Sequence, residues 1–220
     1  MILRLVYICG FKRIDINKSH EILQVAEKLF AENGYNGTSV RQICKEANVN
    51  ISMISYYFGS KEELYLSIFK VKIDESLSST HKIIERKDLN AWEKIKLLVR
   101  NYSNRIKHNR NFYLIYQREQ LSATNDFIRK FLLDTKQNFI NAFQEIATQG
   151  ISSGLFKKQV RIDVVITIIS GSLLNAYNSM DMYDALKVVS KSKTSDKFVN
   201  QLIMNIETIL KPLFGYEENK

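Results

Sequence analysis

The sequence predicts an all-α protein, and three of its features carry that expectation. A chain of 220 residues holds one proline, Pro212, and eight glycines, too few breakers for the frequent turns of an all-β fold. Apolar residues recur three and four apart in segment after segment, which gathers them on one face of a helix. Each of these segments is bounded by residues that start or stop helices. The composition, 45% hydrophobic and 25% charged, is that of a globular protein of one or two domains.

A first helix is expected over 18–33, where Ile22, Val25, Ala26, Leu29 and Phe30 share a face and Gly34 supplies a left-handed stop. Gly37 then turns the chain. A second helix of two turns begins after Thr38 or Ser39, with Ser39 and Gln42 in capping-box spacing and Val40, Ile43 and Ala47 inside. Asn tolerates a positive φ better than other non-glycine residues, so Asn48-Val49-Asn50 reads as a tight turn with Val49 pointing inward. Asn50 caps a third helix over 51–58, accepting from the N–H of Ser52 or Met53, with Ile54 and Phe58 as inner positions. Gly59 stops it. Ser60 and Glu63 form another capping box, and Glu62 and Glu63 complement the positive end of a fourth helix through Leu64 and Ile68.

Further helices are expected at 90–108, 111–121, 125–150, 163–180 and 196–211. The 163–180 helix is apolar nearly all round, so both its sides need partners, and Ser170-Gly171-Ser172 lets another helix approach. Gly150 and Gly154 have G-x-x-x-G spacing but stand at a helix stop, which reads as a loop and not as a packing motif.

Charge and motifs narrow the function. A net charge of +9 fits a polyanionic partner. Residues 1–70 carry only +2 of it, so the total does not locate a binding surface, and the densest basic stretch, 82–110, reads as solvated helix faces. Cys9 and Cys44 build neither a disulfide framework nor a four-cysteine metal site and read as reduced thiols of a cytoplasmic protein. His20, His81 and His108 lack metal-binding spacing, and no nucleophile elbow, P-loop or dinucleotide fingerprint is present. These absences argue against an enzyme and imply no cofactor or metal. The apolar run 5–9 is too short for a signal peptide, and the uncharged stretch 164–180 falls short of a membrane span.

Two short helices joined by a three-residue turn, packed on a longer first helix, describe a helix-turn-helix module. Residues 18–69 resemble the N-terminal domain of TetR/AcrR-type transcriptional regulators. The resemblance lies in Ala26-Glu27-Lys28-Leu29-Phe30, Glu32-Asn33-Gly34-Tyr35, Thr38-Ser39-Val40-Arg41-Gln42-Ile43, Ala47-Asn48-Val49-Asn50 and Tyr56-Tyr57-Phe58-Gly59-Ser60-Lys61-Glu62-Glu63-Leu64. It implies an N-terminal arm or extension over 1–16, a helix-turn-helix DNA-binding domain over 17–76, and a helical ligand-binding and dimerisation domain over 77–220. It also implies a homodimeric repressor that binds a palindromic operator and is released by an unidentified small molecule. A transcriptional activator of the same fold and a basic protein at membrane surfaces are the alternatives.

The same resemblance places the third helix in the major groove. Ile51 and Met53 would meet thymine methyls, Ser52 and Ser55 would donate or accept at base edges, and Tyr56 offers a ring and a hydroxyl. That helix has no Lys or Arg for a bidentate guanine contact, which points to an A/T-rich operator. Phosphates are assigned to Thr38 and Ser39 at one helix N-terminus, Lys61 at another, and the Tyr57 hydroxyl, with Arg41 open between phosphate and solvent. Lys12, Arg13 and Lys18 are candidates for a minor-groove arm. By resemblance the last two helices form the dimer interface, and the region of Trp92, Tyr102, Phe112, Tyr113, Tyr116, Phe127, Phe131, Phe139 and Phe143 holds the ligand cavity. Asn48, Asn50, Ser52 and Ser55 depart from the usual family pattern of Gly, Ser or Thr, Gly, and Tyr, which bears on operator sequence and not on the fold.

Overall fold

The computed structural model describes residues 16–122, 126–187 and 195–217. All regular structure among them is helical: α1 (Ile16–Gly37), α2 (Val40–Glu46), α3 (Ile51–Phe58), α4 (Lys61–Ile84), α5 (Ala91–His108), α6 (Arg110–Ser122), α7 (Asp126–Ser152), α8 (Ile162–Asn178), α9 (Met180–Ala185) and α10 (Ser195–Phe214). No helix among the described residues is long and apolar enough to cross a membrane. The candidate arm residues Lys12 and Arg13, and Cys9, lie outside the described residues, as does the side chain of Phe127.

The local signals of the first four helices act where the sequence places them. Gly34, with φ 74° and ψ 172°, breaks the path of α1. Ser39 caps α2 by accepting from the Gln42 N–H at 3.1 Å. Asn48 has φ 50°, and the turn closes through the Val49 N–H on the Cys44 carbonyl at 3.0 Å. Asn50 caps α3 through the Met53 N–H at 3.0 Å, and Ser60 accepts from the Glu63 N–H at 3.1 Å at the start of α4. Caps of this kind are each worth about 1 kcal/mol. Val49 and Phe58, expected inside, are half-buried, whereas Ile54 is fully buried.

The chain groups into two compact units, 1–74 with 111–129, and 75–110 with 130–220. The first is built on Ile22, Ala26, Leu29 and Phe30 of α1, Ile43 of α2, Ile54 of α3, Leu64 and Ile68 of α4, and Ile115 of α6, all essentially inaccessible to water. Burying such side chains stabilises by about 1.5–3 kcal/mol each. A linear division near residue 76 does not reveal why α6 joins this unit. Two long-range contacts hold it there. Arg118 donates to the carbonyls of Phe30 and Ala31 at 3.2 and 2.5 Å, in the last turn before the break at Gly34. The Tyr65 hydroxyl donates to the buried Glu119 carboxylate at 2.8 Å. Phe112 is buried in the first unit, 5.7 Å from Phe69 and 5.9 Å from the half-buried Tyr116.

In the second unit α5 opens with a full capping box: the Glu93 N–H donates to the Asn90 side chain at 2.9 Å, and the Asn90 N–H donates to the Glu93 carboxylate at 2.8 Å. Trp92 is buried and stacks on Tyr216 at 5.0 Å. Four of the nine basic residues of the 82–110 stretch pair at the surface, Arg86 with Asp88, Arg100 with half-buried Glu207, Lys107 with Asp196 and Arg110 with Asp181. Pairs of this sort contribute little to stability. Lys94 corrects the expectation of solvated faces: it is buried and donates to the Ile84 carbonyl at 2.7 Å and to Gln149 Oε1 at 2.8 Å.

Three boundaries differ from the sequence expectation. Gly150 lies inside α7, where a Cβ would meet the Phe156 ring at 2.1 Å, so this glycine is a site of close packing and Gly154, at φ 74°, is the stop. The helix expected over 163–180 ends at Asn178 and a separate short helix, α9, follows. α10 runs past Pro212 to Phe214, because its end is held by the N–H groups of Lys157 and Lys158, which donate to the Phe214 carbonyl at 3.0 and 3.2 Å. Tertiary contact overrides the helix-breaking tendency of proline there.

Candidate nucleic-acid interface

The surface of α3 is set by its helical period. Ile54 is buried against the core of the first unit, and Ile51, Ser52, Ser55 and Tyr56 are exposed along the outer arc of the helix. Ile51 and Tyr56 are 50% and 49% exposed, large apolar groups that a solitary helix would ordinarily turn inward. Met53 and Tyr57 are half-buried at the margins, and the Tyr57 ring packs edge-on against Tyr56 at 5.1 Å. No charged residue lies in α3 itself.

Charge comes from the flanking elements. Arg41 in the first turn of α2 is exposed. Lys61 opens α4, where the N-terminal end of the helix dipole opposes a cation. The Tyr35 ring offsets this: Lys61 Nζ sits 4.2 Å from its centroid, and burial lowers the ammonium's pKa. Tyr35 is in turn packed 4.8 Å from Tyr65, and burial, with Glu62 and Glu119 nearby, raises its phenol's pKa.

The predicted phosphate ligands separate on burial. Ser39 is exposed at the N-terminus of α2; its oxygen accepts from Gln42, which leaves its own proton for an anion. Thr38 is 1% exposed, and its hydroxyl donates inward to the carbonyls of Leu29 and Gly34 at 3.1 and 2.8 Å. Its N–H is turned to the Tyr35 carbonyl at 3.4 Å. Thr38 therefore fixes the turn between α1 and α2 and presents no donor outward. Lys18, a candidate for the arm, instead donates to Glu21 at 2.8 Å and to the Ala47 carbonyl at 3.4 Å.

Tyr35 as the seat of Lys61 is not readable from sequence, since nothing in a lone Tyr after a glycine stop signals a cation above its ring. Helix capping gives Asn50 one partner, the Met53 N–H. The structure gives it a second, the Ser52 hydroxyl, at 2.6 Å.

Comparison with known proteins matches this helix-turn-helix and the helices that follow it. Residues 22–68 match the family of bacterial regulatory proteins, tetR family, and residues 69–195 match the C-terminal region of YsiA-like proteins. The chain belongs to the TetR family. As a TetR-family protein it is a DNA-binding transcriptional regulator. It is 28% identical over 167 residues to the fatty acid metabolism regulator protein of Bacillus subtilis, covering 76% of this chain and 85% of that one. It is 25% identical over 145 residues to the transcriptional repressor KstR2 of Mycobacterium tuberculosis, covering 66% and 72%. Among solved structures, FadR of Bacillus subtilis in complex with stearoyl-CoA matches with a TM-score of 0.68 at 24% identity, over 86% of this chain and 97% of that one. FadR of Bacillus halodurans matches with a TM-score of 0.70 at 21% identity, over 90% and 97%. At these identities the structures establish the fold of the TetR-family chain and nothing finer.

Proposed function

We propose that this regulator is an intracellular homodimeric repressor that reads a palindromic operator with α3 and lets go of DNA when a long-chain acyl thioester fills its C-terminal region. The observation that carries the DNA reading is the outward face of α3, where Ile51, Ser52, Ser55 and Tyr56 stand exposed and uncharged. Such a face suits the base edges and thymine methyls of a major groove, with Met53 at its margin. Ser39, Arg41, Tyr57 and Lys61 hold the phosphates alongside. Without Lys or Arg on α3, preference falls to A/T-rich sequence.

Dimerisation is assigned to α8 and α10. These helices pack on one another, and each leaves an outward stripe without charge: Val164, Thr167, Gly171 and Asn175 on α8, and Met204, Thr208, Ile209 and Leu213 on α10. A Cβ added at Gly171 would meet no atom within 4 Å, so the close approach that Gly171 allows is unused within the protomer. An uncharged face of this kind, set against its own copy, suits a two-fold dimer.

For the effector, similarity to the fatty acid metabolism regulator over most of both chains, and to the FadR structure that holds stearoyl-CoA, favours an acyl thioester, and a steroid is the second reading because the similar KstR2 is a ketosteroid transcriptional regulator. The test is fluorescence anisotropy of the dimer on a duplex it has enriched from a random library. Stearoyl-CoA is expected to release the DNA, and free coenzyme A and a ketosteroid are expected to leave it bound. Release by the ketosteroid alone would replace the acyl reading with the steroid one.

A further inference from the structure

We propose that Ser52 is a specificity residue that accepts a hydrogen bond from an exocyclic amino group, adenine N6 or cytosine N4, because Asn50 holds its proton. The inference rests on the reading that α3 enters the major groove. Two bonds at one oxygen carry it. The Met53 N–H donates to Asn50 Oδ1 at 3.0 Å, which fixes that atom as the amide's oxygen, since a backbone N–H has no use for the NH2 group. Ser52 Oγ lies 2.6 Å from the same oxygen. Asn50 Oδ1 has no proton to give, so the serine hydroxyl is the donor, and its proton points back along the helix cap.

A hydroxyl in that state has only lone pairs left for its exposed side. In the major groove adenine and cytosine offer amino donors, whereas guanine N7 and O6 and thymine O4 are acceptors. Facing a locked serine, an acceptor meets lone pairs, and only by breaking the bond to Asn50 does Ser52 regain a donor. Ser55, one turn on, makes a useful contrast. Its hydroxyl is 3.5 Å from the Ile51 carbonyl, too long to commit its proton, so it retains both roles. Ser52 and Ser55 therefore ask different questions of the bases although they are the same residue type on the same face.

The test compares duplexes enriched from a random library by the full-length wild type, Ser52→Ala and Asn50→Gly. Glycine is itself an acceptable N-cap, so Asn50→Gly keeps the helix while releasing the serine proton. The wild type is expected to show one position per half-site fixed as A or C that relaxes in Ser52→Ala. Replacing that base by its analogue lacking the amino group, purine for adenine or pyrimidin-2-one for cytosine, should weaken wild-type binding roughly fivefold and leave Ser52→Ala unchanged. In Asn50→Gly the same position should additionally admit G or T. A Ser52-dependent position that prefers G or T in the wild type would overturn the proposal, as would an operator in which no position responds to Ser52→Ala. Failure of the wild type to enrich any sequence would instead overturn the DNA reading of α3, and the proposal with it.

Discussion

Lys61→Ala separates a role in DNA binding from a role in folding, because its effects on stability oppose one another. The ammonium stands 4.2 Å from the centroid of the Tyr35 ring, half-buried, and a cation–π contact of that kind contributes about 0.5–1 kcal/mol. The same charge sits in the first turn of α4, where the helix dipole opposes it by about 0.3–1 kcal/mol. Removing it loses the first term and recovers the second, so the stability of the fold should move by no more than about 0.7 kcal/mol in urea unfolding. DNA binding should respond far more. If each of two heads gives up one phosphate, the slope of log affinity against log salt flattens by about 1.8. Over a fourfold rise in salt, the wild type then loses about 12-fold more affinity than the variant. The assay is anisotropy of a labelled operator at four or five salt concentrations, with Lys61→Arg as the variant that should keep the slope. An unchanged slope in Lys61→Ala would refute the phosphate assignment, and a large fall in urea midpoint would show that the cation acts through the fold.

Three further perturbations test other parts of the structure. Tyr65→Phe removes the donor to buried Glu119 and should destabilise the protein by about 1.5–3 kcal/mol in urea unfolding, which a surface role for that tyrosine would not produce. Gly150→Ala drives a methyl to within 2.1 Å of the Phe156 ring, itself packed 4.6 Å from Phe214, and should cost about 1–3 kcal/mol of thermal stability. Gly171→Arg places a charge on the uncharged stripe of α8 where the protomer leaves space, so sedimentation should find a monomer that retains its helical circular dichroism but no longer binds operator. A dimer of normal affinity would move the interface elsewhere.

What was legible in the sequence is what neighbouring residues satisfy among themselves. The cap at Asn50, the positive φ of Asn48 and the stops at Gly34 and Gly59 each involve partners within a few positions, so residue type and spacing announce them. The outward face of α3 was readable for the same reason, since one buried Ile54 fixes which side faces out. Contacts across long stretches of chain were not readable. Arg118 reaches carbonyls 87 and 88 residues away, and Lys94 finds Gln149 at a separation of 55; no local pattern marks either residue as different from other basic residues on helices. Thr38 and Ser39 illustrate the limit within the site. Both are good caps and both carry a hydroxyl, and only packing against α1 decides that Thr38 turns inward while Ser39 faces out. Pro212 alone marks a helix stop, and the contacts of Lys157 and Lys158 on the Phe214 carbonyl explain why the helix continues past it.

Selection of a random duplex library on the purified protein, with the bound complex sized in the same preparation, tests most directly whether α3 is a reading head on a two-fold dimer. The expected result is an enriched palindrome whose half-sites are centred about 10 base pairs, or a multiple of that, apart and which is bound by one or two dimers. A folded protein that enriches no sequence at low salt, or that binds a single half-site as a monomer, would contradict it.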